Sequence, residues 1–160
     1  MIKQSFSPII GKEPTILILG SLPGDLSIKM NQYYAHPRNR FWQLMFKIFN
    51  RSYSEDYAER VQLIKENNIV LWDVTYSAIR EGSMDSNIKG EILNLIQELL
   101  DEHQTINKIF FNGKKSEQLF MKNFEKNPSI RYFSLPSTSP ANAKFSTEDL
   151  IKEWKEAINY

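Results

Sequence analysis

The chain has 160 residues, 41% hydrophobic, 24% charged and 12% aromatic, which is one domain's worth of an ordinary globular composition and excludes a mainly disordered or collagen-like chain. Twenty Lys and Arg against nineteen Asp and Glu leave a net charge of +1, so the distribution of charge, not its total, has to speak for or against a polyanionic partner. There is no cysteine, which excludes a disulfide frame, a thiol nucleophile and a cysteine-ligated zinc and fits a reducing cytoplasm. The first residues, MIKQSFSPIIGKEP, hold no signal-peptide run, and no stretch approaches the ~20 apolar residues of a membrane span, so no membrane partner is expected.

In chain order, a first strand is expected over residues 15–20 (TILILG), followed by helices over 40–50 and 55–66, with Ser54 as N-cap of the second. A strand over 69–74 (IVLWDV) precedes the clearest helical stripe, residues 89–102, where Ile92, Leu95, Ile96, Leu99 and Leu100 recur at spacings of three and four. Residues 108–113 (KIFFNG) and 130–136 (IRYFSLP) read as strands, each followed by a helix, over 114–123 and 147–159. Ser146 with Asp149 three residues on makes an approximate capping box for the last. The first three strands are near-continuous apolar runs, the pattern of strands covered on both faces, and the alternation with helices implies a parallel α/β sandwich spanning residues 1–160 as one domain.

In an open α/β sheet the ligand crevice lies beyond the carboxyl ends of the strands, so the informative loops follow Gly20, Val74, Gly113 and Leu135. Residues 26–54, 103–116 and 126–147 contain no Asp or Glu yet hold Lys29, Arg38, Arg40, Lys47, Arg51, Lys108, Lys114, Lys115, Lys126, Arg131 and Lys144. A cationic sheet edge suited to a polyanion is therefore expected.

Four strings could carry chemistry. Gly20-Ser21-Leu22-Pro23-Gly24 is a turn leaving a buried strand, where backbone N–H groups can approach a ligand; it lacks both the Gly-Lys-Ser/Thr ending of a phosphate loop and a dinucleotide fingerprint. Residues 33–42 (YYAHPRNRFW) mix stacking surfaces with cations, as readers of flipped or single-stranded bases do. The fourth strand ends in a proline-bounded hydroxyl loop, Ser137-Thr138-Ser139. The second strand ends in carboxylates, where Asp73 and Asp85 can orient a water or organise the loop through Ser77, Arg80 and Ser83.

Together, GSLPG, YYAHPRNRFW, LWDV followed by SAIREGSMDS, FNGKK and LPSTSPAN resemble the uracil-DNA glycosylase superfamily, and within it the hypoxanthine-DNA glycosylase branch. The resemblance covers about residues 15–142. It implies a three-layer α/β/α sandwich with a central four-stranded parallel sheet, a monomer without metal or cofactor, and DNA containing a deaminated base as partner. Relatives specific for mismatched uracil carry an asparagine where this chain has Leu22; in the hypoxanthine branch the asparagine of the HPxNxFW string is catalytic, which is Asn39 here. The second superfamily motif often begins with His, where this chain has Leu135.

On that resemblance the base pocket comprises Gly20, Ser21, Leu22, Pro23, Gly24, Tyr34 and Phe41, with Tyr33 as a further stacking candidate, and the DNA contacts are His36, Arg38, Arg40, Lys114, Ser137, Thr138 and Ser139. Asn39 is neutral, so it can position a water through its carbonyl oxygen or donate to the base through its NH₂, but it cannot act as a general base. Three other readings stay open: uracil or mismatch-uracil cleavage on the same architecture, a small serine esterase using Ser21 or Ser27 with His36 or His103, and a nucleic-acid-binding protein without activity.

Overall fold

The computed structural model describes residues 2–160. Strands β1 (Ile2–Gln4), β2 (Ile9–Ile10) and β3 (Ile16–Gly20) lead into helices α1 (Asp25–Met30), α2 (Phe41–Ile48) and α3 (Tyr57–Glu66). Then come β4 (Ile69–Asp73), β5 (Thr75–Ile79), a 3-10 turn (Asp85–Asn87), β6 (Lys89–Leu93), α4 (Ile96–Glu102), β7 (Lys108–Asn112), α5 (Lys114–Asn123), β8 (Arg131–Leu135) and α6 (Thr147–Asn159). The main sheet runs β2-β4-β3-β7-β8. Its pairs β3–β4, β3–β7 and β7–β8 are parallel, and β2 pairs antiparallel with β4.

The apolar runs form central strands because both of their faces are buried. On β3, Ile16 and Ile18 point with Ile69, Leu71 and Phe110 into a core closed by α2, α3 and α6, where Phe41, Trp42, Leu63, Leu150 and Trp154 pack. Leu17 and Leu19, with Val70, Ile109 and Phe111, meet Ile96, Leu99 and Leu100 of α4 and Leu119 and Phe120 of α5 on the opposite face. Period-two alternation into two separate cores makes the three layers. The four parallel strands stand where expected, but the sheet has a fifth, antiparallel edge strand: β2 is two residues long, and its Ile9 and Ile10 cap β4 through Leu71 and Val70.

The helix expected over 89–102 forms only from Ile96. Its first part is β6, paired antiparallel with β5, which pairs in turn with β1 to make a second, three-stranded sheet. Gly90 has φ 62°, and Asn94 ends the strand by directing its amide at the carbonyls of Asp73 and Thr75. Ile92 and Leu95, read as part of the buried stripe, are 60% and 66% exposed. The N-cap of α3 is Asp56, which accepts from Ala58 N at 2.9 Å; Ser54 instead accepts from Asp56 N and donates to Glu59.

The capping box of α6 forms as expected, with Asp149 N donating to Ser146 Oγ at 3.1 Å and Ser146 N to Asp149 Oδ2 at 3.3 Å. Ser146→Ala is expected to lower the unfolding free energy by about 1 kcal/mol in urea titration, with an unchanged denaturant slope.

Candidate active site

The chain order reverses at β3, which lies between β4 and β7, so the carboxyl ends of β3, β4, β7 and β8 surround a topological switch point. There they wall a cleft of about 1370 Å³ containing the Gly20–Gly24 turn, Asp73, Asn112 and the 135–145 segment. The turn is held from behind. Arg80, fully buried, donates to the carbonyls of Pro23 and Gly82, Ser21 Oγ donates to Asp85 Oδ1 at 2.6 Å, and Asp25 N donates to Ser83 Oγ at 2.9 Å. Lys3 of β1 adds bonds to Asp25 and to the Gly82 carbonyl. The second sheet thus works as a bracket for the turn, and Leu22 plugs into it against Ala78 and Ile88.

The opposite wall is fixed by Asn112, whose carbonyl oxygen accepts from Thr138 N and whose NH₂ donates to Thr138 Oγ1, both at 3.0 Å. Gly113 has φ 94°, and a Cβ there would stand 3.1 Å from Ser137 Cβ, so the loop after β8 packs directly on the end of β7. Arg40 spans this loop by donating to the carbonyls of Phe145, at 2.6 Å, and Asn142, at 3.0 Å.

Between the walls sits the 33–42 string. Tyr34 takes a left-handed backbone, φ 52°, and stacks on Phe41 at 4.2 Å with an interplanar angle of 26°. Asn39 lines the cleft; its Oδ1 accepts from Phe41 N at 3.0 Å, while its NH₂ has no partner among the described residues. That bond locks the amide at the start of α2 and leaves one oxygen lone pair and both N–H groups for a ligand. His36 Nδ1 accepts from Arg38 N at 3.1 Å, which fixes the ring at the rim.

The structure brings together Gly20, Ser21, Leu22, Pro23, Gly24, Tyr34, His36, Arg38, Asn39, Asp73, Asp85, Lys114, Ser137 and Ser139 on one cleft. Five expected residues play other parts. Phe41 is fully buried beneath Tyr34 and offers no surface to a base. Arg40 is committed to two carbonyls, and Thr138, though it lines the cleft, is fully buried on Asn112, so both build the loop that was expected to meet DNA through them. Ser77 is buried in β5 opposite Gln4, whereas Arg80 takes the loop-organising part expected of it, as the clamp behind the turn. Tyr33 is spent on the core, its hydroxyl donating to the Ser7 carbonyl.

Sequence reasoning missed Asn112, whose signal was an amide closing an otherwise apolar strand, and Lys3, which carried no signal because its partner Asp25 lies 22 positions away. The cationic edge is also less pure than expected: Asp25, Asp85 and Glu153 line the cleft beside His36, Arg38, Lys114 and Lys144. Neither Ser21 nor Ser27 meets a histidine; Ser21 serves Asp85, and Ser27 Oγ accepts from Ala35 N. Among the described residues no group of three His, Asp or Glu side chains is placed to hold a metal ion, and no helix is long and apolar enough to cross a membrane.

Asp73 is the electrostatic centre of the cleft. Its Oδ2 is buried without a hydrogen-bond partner, as is the Tyr34 hydroxyl. Burial, reinforced by Asp85 and opposed by Arg80, pushes the Asp73 carboxyl up to about 7. Burial and then Asp73 push the Tyr34 phenol far above its ordinary value, so it stays a neutral donor.

The family described as "Uracil DNA glycosylase superfamily" matches this chain over residues 8–159. The chain is 46% identical over 164 residues to a protein of Methanosarcina barkeri described as hypoxanthine DNA glycosylase, covering 99% of each. It is 36% identical over 166 residues to a Methanosarcina acetivorans protein of the same description, covering 100% of each. A solution NMR structure of a candidate uracil DNA glycosylase from Methanosarcina acetivorans superposes with a TM-score of 0.83 at 36% identity, covering 99% of this chain and 97% of that one.

The raised Asp73 value makes stability depend on pH. Below its unfolded value near ~4 the carboxyl is protonated in both states and costs nothing; between there and about 7 the unfolded chain has released the proton that the folded chain still holds, so stability falls as pH rises across this window and levels off above it. Asp73→Asn removes that loss. Between about pH 5 and pH 8 the unfolding free energy of the variant should therefore gain on the wild type by a few kcal/mol, on the order of 4 at most, in chemical denaturation at each pH.

Proposed function

The chain belongs to the uracil DNA glycosylase superfamily, and we propose that it is a monofunctional DNA glycosylase of base excision repair that hydrolyses the N-glycosidic bond of hypoxanthine in deoxyinosine. The observation that carries this reading is Asn39: a neutral amide, locked by Phe41 N, stands in the cleft beside an aromatic ring and the Gly20–Gly24 turn. A base in a duplex is out of reach, so the nucleotide swings out and lies against Tyr34, the ring of the 33–42 string that meets the cleft without being spent on the core. Asn39 then orients a water at C1′ with its remaining oxygen lone pair, and its NH₂ is free to hold the base. Positive charge grows on the sugar and negative charge on the base as the bond breaks, so fixed dipoles stabilise the reaction without a basic side chain.

Hypoxanthine is favoured over uracil by the two relatives of that description and by Leu22, whose side chain is spent on Ala78 and Ile88 where mismatch-uracil relatives place a water-positioning amide. His36, Arg38, Lys114, Ser137 and Ser139 are the groups at hand for phosphate or groove contacts at the rim. The reading includes a single cytoplasmic domain that acts as a monomer and without a metal.

Oligonucleotides carrying deoxyinosine, deoxyuridine, deoxyxanthosine or only intact bases, treated with enzyme and then alkali, test this directly. Strand breakage at deoxyinosine well above that at deoxyuridine is expected, and Asn39→Ala should slow it by about 10²–10³-fold while lowering the thermal midpoint only by the few degrees that losing the Phe41 N–H bond costs. Salt-sensitive DNA binding with no breakage at any base would leave only a binding protein.

A further inference from the structure

Stacking on the Tyr34 ring and a water on Asn39 leave the Asp73 carboxyl and the Tyr34 hydroxyl, at the floor of the cleft, without a part. Gly20 and Asp73 are direct neighbours across the parallel β3–β4 pair. A Cβ on Gly20 would stand 2.5 Å from Asp73 Oδ1 and 3.0 Å from the Tyr34 hydroxyl, so both groups close over the glycine that begins the turn. Asp73 is 4% exposed, and it, Tyr34 and Gly20 all line the cleft. Among the described residues neither Asp73 Oδ2 nor the Tyr34 hydroxyl makes a hydrogen bond of good geometry, although the Asn112 side chain stands close enough to the phenol to pull its value back down in part. Buried polar groups are nearly always hydrogen-bonded, and a pair left open beside a ligand cleft is placed to take its partner from the ligand.

The charged and titratable groups around Asp73 come from four directions. Asp85 follows the second sheet's central strand and is held by Ser21; Arg80 ends that strand with its guanidinium on the Pro23 and Gly82 carbonyls; Tyr34 and Tyr33 come from the string before α2; His36, Arg38 and Lys114 lie further out on the rim. Among the described residues no cation donates a hydrogen bond to Asp73. A carboxyl in such a place keeps its proton in the manner of a buried acid, not of a salt-bridged carboxylate.

We propose that Asp73, in its protonated form, is the acid that hydrogen-bonds a ring nitrogen of the flipped purine and passes its proton to it as the base leaves, with the Tyr34 hydroxyl as a second donor. This rests on the deoxyinosine reading and adds to it a group that touches the base. The C1′–N9 bond breaks with its electron pair going to the base, and the Asp73 proton moves to the purine, so that neutral hypoxanthine departs instead of its anion. The water positioned by Asn39 adds to C1′, and the proton it sheds returns through solvent to the Asp73 carboxylate. The sum is one water consumed, one sugar hydroxyl formed and one free base released, with the acid regenerated. The raised value of the Asp73 carboxyl, about 7, leaves a large share of it protonated at neutral pH and able to give the proton up.

Single-turnover excision from a deoxyinosine duplex at saturating enzyme, measured from about pH 5.5 to 9 for the wild type, Asp73→Asn and Tyr34→Phe, tests the proposal. The wild-type rate constant should be level at low pH and fall toward tenfold per unit above about pH 7. Asp73→Asn, which keeps shape and a donor but has no proton to lose, should react at least ~10-fold more slowly at pH 6 and show no such fall. Tyr34→Phe should be slower at every pH and keep the wild-type profile. Binding of the same duplex by each variant, with its circular dichroism, separates a chemical defect from a misfolded chain, and the wild-type profile stands even if one variant fails to fold. A wild-type rate that rises through pH 7 makes Asp73 a base and overturns the proposal, as does an Asp73→Asn variant with wild-type rate and profile. A wild type that releases no hypoxanthine at any pH overturns the glycosylase reading itself, a result distinguishable from either.

Discussion

The register of β3 against β4 sets Asp73 beside Gly20, and the rest of the cleft is arranged around that pairing. Because the strands are parallel, the turn after β3 and the carboxyl ending β4 emerge on the same edge of the sheet. Only glycine at position 20 leaves room for the carboxyl and for the Tyr34 hydroxyl above it. A turn at this point would be mobile if only its two ends were tied, since loops at strand ends are surface structure. Here the chain immediately after β4 returns as β5, so the same strand that supplies Asp73 also delivers Arg80, Ser83 and Asp85 to the back of the turn. Position and support come from one continuous stretch of chain.

The same economy holds on the other wall. Asn112 at the end of β7 grips Thr138 after β8 with both ends of its amide, and Arg40 crosses from the start of α2 to the carbonyls at 142 and 145. Two of the polar residues that look like DNA ligands in the sequence, Arg40 and Thr138, are therefore construction, as is Arg80 behind the turn. At the floor of the cleft the groups are neutral: an amide at Asn39, a phenol at Tyr34 and a carboxyl at Asp73 that burial keeps protonated toward neutral pH, while the charged side chains stand around them. Such machinery suits a polyanionic substrate, because an ionised carboxylate in the path of the backbone would repel it.

Strands covered on both faces were legible because burial forces them apolar at every position, and β3, β4 and β7 stand where their runs end in Gly, Asp and Asn. The last two helices were legible from their stripes and, for α6, from its capping box. The second sheet was not. Its strand β6 is exposed up to Leu93, so Ile92, together with Leu95 at the cap of α4, mimics the helical spacing of the true α4 stripe while pointing to solvent. Nor can β1 and β2 be read from three and two residues, whose partners lie some 60 to 77 positions away. At the site, residue types and their gathering at one sheet edge were readable, because chain order and the strand-end rule suffice for that. Which of two neighbours faces the cleft was not: Tyr34 and Phe41 are both aromatic in one string, and only the left-handed turn at Tyr34 lays one over the other.

The most direct measurement is a crystal structure of the protein bound to DNA containing a deoxyinosine analogue whose glycosidic bond resists cleavage. The purine is expected outside the helix against Tyr34, with a ring nitrogen within ~3.2 Å of an Asp73 oxygen and an Asn39-bound water facing C1′. A nucleotide that stays stacked in the duplex, or a purine seated in the cleft with Asp73 and Asn39 both turned away from it, would contradict the account.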